Sequence, residues 1–190
     1  MNIVPALLIA LQAAAAAPSQ PDRATAAAIA AKINDYRVAN GLRPVPYSPS
    51  LRAVAEAHVL DMAASADGGL AFVRGRDSRG LPCNAHSWSD RGRWTPVCYT
   101  GDHRYSARMW SKPAEITGGA YPGYGFEIGH QSGGTVTAEG ALRGWQSSPA
   151  HNAVILERGP WKGKNWQAMG VGVLGHTAFV WFGQERDSAR

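Results

Sequence analysis

Two imidazoles and one carboxylate are the side chains of this chain best suited to chemistry. They are His86 in CNAHSW, Glu127 in GYGFEIGH and His151 in SSPAHNAVIL. Supplied by separate segments, such a set is the raw material of a divalent-metal site. It is equally the raw material of a general acid/base pair. The glycines flanking Glu127 allow other backbone to approach it closely. Spacing alone does not bring the three together. The zincin H-E-x-x-H, the G-x-S-x-G elbow, the P-loop and the G-x-G-x-x-G fingerprint are all absent from the sequence. No catalytic residue is assigned on this basis. His58 shares a helical face with Leu51, Ala55 and Met62, so it reads as a satisfied core histidine. Asp102 and His103, beside Cys98, read as a local structural pair.

Two cysteines, Cys83 and Cys98, stand fifteen positions apart. In an exported chain an isolated pair most simply forms one disulfide, and the rival reading is a reactive thiol. Closing a loop of that size is worth about 3 kcal/mol in the chain-entropy model. Such a staple would also hold His86, three residues beyond Cys83. Export is suggested by residues 1–17, MNIVPALLIALQAAAAA, which read as a cleavable secretory signal. The apolar stretch Ile3 to Leu11 falls within the roughly 7–15 residues of a signal core, and the alanines offer small residues at every A-x-A register. Pro18 and the polar residues after it end the segment short of the about 20 apolar residues that a membrane span requires. The expected location is therefore secreted or periplasmic, with no transmembrane segment.

The remaining chain of about 170 residues suits one domain, expected over residues 22–185 and as a monomer. A composition that is 45% hydrophobic and 17% charged, with seven tryptophans, excludes a disordered protein. The net charge of +5 suits an acidic cell surface or anionic headgroups. No basic helix or stacking motif points to nucleic acid.

The elements that must position these residues follow from periodicity and turn chemistry. Residues 23–40 carry Ile29, Ile33 and Tyr36 at helical spacing, with Gly41 as the stop. A second helix starts at Ser48-Pro49, a serine cap followed by proline at the first position. Residues 65–112 show no periodicity and hold both cysteines. Residues 121–130 suggest a turn and a short strand, and a third helix is expected from Val136 to Ser147, ended by Pro149. Residues 169–183 read as two strands around a Leu174–His176 turn. Helices and strands segregate, so the class is α+β. Trp88, Trp94, Tyr99, Trp110, Tyr121 and Tyr124 read first as a satellite core, and otherwise as a surface for sugars or lipids.

The order of these segments resembles the CAP superfamily of cysteine-rich secretory, antigen-five and pathogenesis-related proteins, in a bacterial-like form. Asn34, Arg37 and Asn40-Gly41-Leu42 look like the family's first helix and its ending. GFEIG is similar to its GENI signature, and SPAHNAVIL to its S-P-x-H-x-x-x-I-L segment. The resemblance covers roughly residues 26–184 and implies an α–β–α sandwich around a central antiparallel sheet, with a cleft on one side. Carried over by motif, His86, His151 and Glu127 would line that cleft and could hold Zn or another divalent ion. The second acidic residue of eukaryotic members falls on Ser148 here, and Glu115 is a surface carboxylate that could replace it. The family further implies a lipid, sterol or cell-envelope ligand held without turnover. Metal-assisted hydrolysis in the same pocket, and a purely structural envelope module, are the alternatives.

Overall fold

A computed structural model describes residues 20–64 and 75–189. The signal-like residues 1–17 lie outside them. The first helix, α1 (Arg23–Ala39), begins where the Asp22 carboxylate accepts the Thr25 amide at 3.0 Å. It ends at Gly41, whose φ of 76° suits a residue without Cβ. Its buried stripe is Ala26, Ile29, Ala30, Ile33 and Arg37. The Arg37 guanidinium is buried with each of its three nitrogens hydrogen-bonded, to Glu157 at 2.7 Å and to the carbonyls of Arg43 and Ile155. The second helix, α2 (Pro49–Ala63), opens as its sequence predicts, with Ser48 Oγ accepting the Leu51 amide at 2.9 Å.

Among the described residues, three strands form one antiparallel sheet. They are β1 (Gly125–Gln131), β2 (Ala168–Leu174) and β3 (Thr177–Gly183), in the order β1-β3-β2. Alternation along the strands builds a core on each face. Val180 and Phe182 join Ile128, Val171 and the apolar stripe of α1 in one cluster. Trp181 and Ala168 meet Leu51, Val54 and Ala55 of α2 in the other. The fold is α+β, with a three-stranded antiparallel sheet between α2 on one side and α1 with later helices on the other.

Two expectations need correction. The irregular stretch contains a short helix, α3 (Ser106–Trp110), and a second, α4 (Lys112–Ile116), begins at its last residue. They are too short to show helical periodicity, and tertiary contacts hold them. The buried Lys112 ammonium reaches Thr95 O and Glu115, each at 2.5 Å. Further on, α5 (Ala138–Ser147) does end before Pro149, but the proline then starts another helix, α6 (Pro149–Ile155). Proline at a first helical position loses no hydrogen bond. His151 therefore stands in the first turn of α6 rather than in a loop.

The close seat of α2 depends on two β2 glycines. A Cβ at Gly172 would lie 2.4 Å from Ala55 backbone atoms, and one at Gly170 would lie 2.1 Å from the Leu51–Arg52 backbone. Backbone cannot swing aside as a side chain can. Gly172→Ala is expected to lose about 1–3 kcal/mol in denaturant unfolding. Gly133→Ala, at a site open for at least 4 Å, should stay within about 0.5 kcal/mol of the native protein.

Candidate functional site

The site is built around the Glu127 carboxylate, which β1 delivers to the α2 face. The Glu127 side chain is completely buried. His58 Nδ1 donates to its Oε2 at 2.6 Å, and His86 Nδ1 donates to its Oε1 at 2.7 Å. The other nitrogen of His58 donates to the Ser87 carbonyl at 3.0 Å. His58 is also stacked between two rings, Trp88 at 4.1 Å and Phe179 at 4.0 Å, with interplanar angles of 14° and 10°. The core reading of His58 was correct about burial, but its polar partners include a site residue. Helical periodicity located its face without revealing what that face meets.

The segment carrying His86 is pinned on both sides. Asp61, three residues after His58 and on the same face of α2, accepts the Ser89 amide at 2.9 Å and the Ser89 hydroxyl. Ser87 Oγ accepts the Tyr99 amide at 2.9 Å, and Trp88 and Val97 form a two-residue bridge. The Cys83–Cys98 disulfide closes this segment on itself, with Cα atoms 4.9 Å apart. No cysteine is free for the thiol alternative. Gly129 leaves the remaining room: a Cβ there would sit 2.9 Å from Phe179 and 3.8 Å from His86.

Burial pushes the Glu127 carboxyl up, but the charge at His58 and the hydrogen bonds from His58 and His86 outweigh it. Its proton affinity ends below the usual carboxylate range. An ionised carboxylate only accepts, so His86 donates from Nδ1, and its second ring nitrogen is Nε2. The His86 side chain is 23% exposed, and that nitrogen is left for a ligand.

His151 approaches from the opposite helical layer and makes no hydrogen bond with Glu127. Burial lowers its basicity first, followed by the charges of His86 and His130. His130 is the residue that sequence reasoning missed. It lies at the end of β1, edge-on to Trp145 at 6.0 Å, and a Cβ on Gly144 would stand 2.8 Å from its Nδ1. Burial makes it, too, harder to protonate. The alternation of GFEIGH was the available signal, since it sets His130 on the Phe126 and Ile128 face. Trp145 crosses the outer edge of β1 and donates to Gly129 O at 2.8 Å.

A metal held by His86, Glu127 and His151 does not fit this arrangement. Both Glu127 oxygens are occupied by imidazoles. Among the described residues, no three His, Cys, Asp or Glu side chains stand together so as to hold an ion. Glu115 supplies no substitute ligand, because it holds Lys112 and the Thr95 amide. Asp102 and His103 do not pair with each other. Asp102 binds Arg79 and Thr100, each at 2.6 Å, and His103 meets the Tyr99 hydroxyl at 2.8 Å. Trp88, Tyr99 and Tyr121 are buried in the α2-side core, whereas Tyr124 is 56% exposed. A cavity of about 430 Å³ adjoins the His86 segment, walled by Trp88, Pro96, Val97 and the disulfide, with Ser87 and Asp90.

The family model of the cysteine-rich secretory protein family, CAP, matches residues 30–159, more than half of the chain. The chain belongs to the CAP family. No curated protein and no solved structure matches it. The matched residues of this CAP domain contain His58, His86, Glu127, His130 and His151. No described helix is long and apolar enough to cross a membrane.

The shifted groups set a pH dependence. A histidine harder to protonate when folded contributes stability above its unfolded pKa, about 6.5, which is lost as pH falls toward the folded value. Compared with a His130→Gln, His151→Gln variant, the native protein should lose stability on acidification below about pH 6.5. Glu127, shifted down, adds a second loss that begins below about pH 4.3 and is shared by both proteins. Denaturant unfolding across pH 4–8 reads the first limb as a difference between the two.

Proposed function

We propose that this chain is an exported CAP-domain protein that holds a small ligand against His86 and His151 without turning it over. Residues 1–17 would serve as the cleaved signal and residues 22–185 as the domain. The observation that carries this reading is the two-sided hold on Glu127. It spends the carboxylate inside the protein and turns the acceptor nitrogen of His86 outward. A matching ligand presents a hydroxyl to that acceptor. The neighbouring cavity has apolar wall at Trp88, Pro96 and Val97 beside Asp90 and Arg91, without His86 or His151 in its lining. The family resemblance supplies the hydrophobic body, as in a lipid or sterol alcohol or a cell-envelope lipid.

A second reading, hydrolysis, is favoured by the same dyad. A carboxylate-oriented imidazole with a free Nε2 is also the arrangement of a general base. Because the donor set does not suit a divalent ion, no step is assigned to metal here.

A matched pair of probes separates the readings: a fluorescent long-chain alcohol and its methyl ether. The alcohol should bind about 3–10 times more tightly, the worth of one neutral hydrogen bond. His86→Phe should abolish the difference, and a chelator should leave the melting temperature unchanged. Ester turnover that disappears in His86→Phe would establish the hydrolytic reading. Equal binding of alcohol and ether would overturn the acceptor-based one.

A further inference from the structure

We propose that a second hollow, framed by Arg43 and Arg186, binds a phosphate monoester. Its volume is about 220 Å³, and it shares no lining residue with the His86 cleft. Its walls come from the segment after α1, the approach to β2 and the chain beyond β3. Charge carries the inference. The lining holds three arginines and one carboxylate. Arg37 and Glu157 pair at 2.7 Å and cancel. No carboxylate of the described residues stands within ion-pair distance of Arg43 or Arg186. Two positive charges are left over, and a phosphate monoester brings up to two negative ones.

Ordinary surface arginines ride on loose backbone, but here the backbone is tied. Arg43 O accepts from Arg37 Nε at 3.1 Å, and Asn34 exchanges two hydrogen bonds with Val45, at 2.8 and 3.0 Å. Pro44 and Pro46 stiffen the same stretch by fixing φ. Arg186 stands between two anchors. Tyr121 Oη donates to Glu185 O at 2.8 Å, and the Asp187 carboxylate accepts from the Ser50 amide at 2.9 Å and the Ser48 hydroxyl at 2.5 Å. The floor is equally fixed. Glu157 and Asn165 both adopt left-handed backbone, with φ of 50° and 52°, and the Asn165 amide reaches Glu157 at 2.7 Å. Glutamate holds that conformation only where its surroundings impose it. Glu157 is thereby committed to Arg37 and to backbone, and does not compete for the other two guanidiniums.

Guanidinium forks match the oxygens of an oxyanion in pairs, and a tetrahedral phosphate offers enough oxygens for two forks at once. A carboxylate satisfies one fork with its two oxygens. Pro44 and Pro46 give the hollow an apolar rim for the organic part of an ester. The same chemistry serves a soluble phosphate ester and the headgroup of phosphatidic acid.

The test uses the full-length protein at constant ionic strength and pH 8, above the second phosphate pKa of about 6. The probes are phenyl phosphate, and phosphatidylcholine vesicles with and without phosphatidic acid. Arg43→Gln keeps the carbonyl that Arg37 uses, and it should weaken phosphate binding by roughly tenfold or more, as should Arg186→Gln. Arg108→Gln removes an equal charge outside the hollow and should leave binding unchanged. Saturable binding of phenyl phosphate with that pattern establishes a site for soluble esters. Retention on phosphatidic acid vesicles alone, lost in the same two variants, establishes a headgroup site. Equal losses in all three variants, or no binding of either probe, would overturn the proposal. So would loss of phosphate binding in His86→Phe, which places the anion in the cleft; intact binding there separates this result from the function proposed above.

Discussion

A carboxylate shut away from water needs a donor for each oxygen and a positive charge nearby, and Glu127 has no water to supply either. Much of the architecture follows from meeting that demand. His58 must lie on the sheet-facing stripe of α2, and α2 must come close enough for a 2.6 Å contact. Gly170 and Gly172 provide that approach by placing no Cβ against the helix backbone. Removing one partner of such a buried pair typically costs about 3–5 kcal/mol, because the survivor stays charged and unpaired. The arrangement is thus strongly constrained even though, of the three linked side chains, His86 alone reaches the surface.

The loop that carries His86 is held by the same helix. His58 and Asp61 are three residues apart on α2 and grip Ser87 and Ser89 respectively. The disulfide between Cys83 and Cys98 closes the segment from the other end. A long irregular stretch can therefore present a fixed side chain, because its order comes from helix contacts and a covalent tie rather than from local hydrogen-bond repeats. On the other helical layer, His130 and His151 are disfavoured as cations by burial. One side of β1 holds a compensated charge and the other side holds imidazoles that resist charging.

Local signals made much of this legible in the sequence. The Ser48-Pro49 start of α2 and the paired strands around Gly175-His176 rest on short-range chemistry, and the structure has both. The Cys83–Cys98 bond followed from there being only two cysteines in a chain that reads as exported. The two failures are also local in origin. Pro149 can end one helix or begin the next, and only the surrounding packing decides. Helices of five residues, such as Ser106–Trp110, carry no periodicity to detect. The role of His58 was hidden for a different reason. Its period placed it in the core correctly, but 69 residues separate it from Glu127 and no local pattern records that meeting.

The acceptor role of His86 depends on where the hydrogens of the His86–Glu127 contact sit. Neutron diffraction from crystals exchanged into deuterated buffer at alkaline pD measures them directly. The account predicts deuterium on Nδ1 alone of His86 and on neither oxygen of Glu127. Deuterium on a Glu127 oxygen, or on Nε2 of His86, would contradict it.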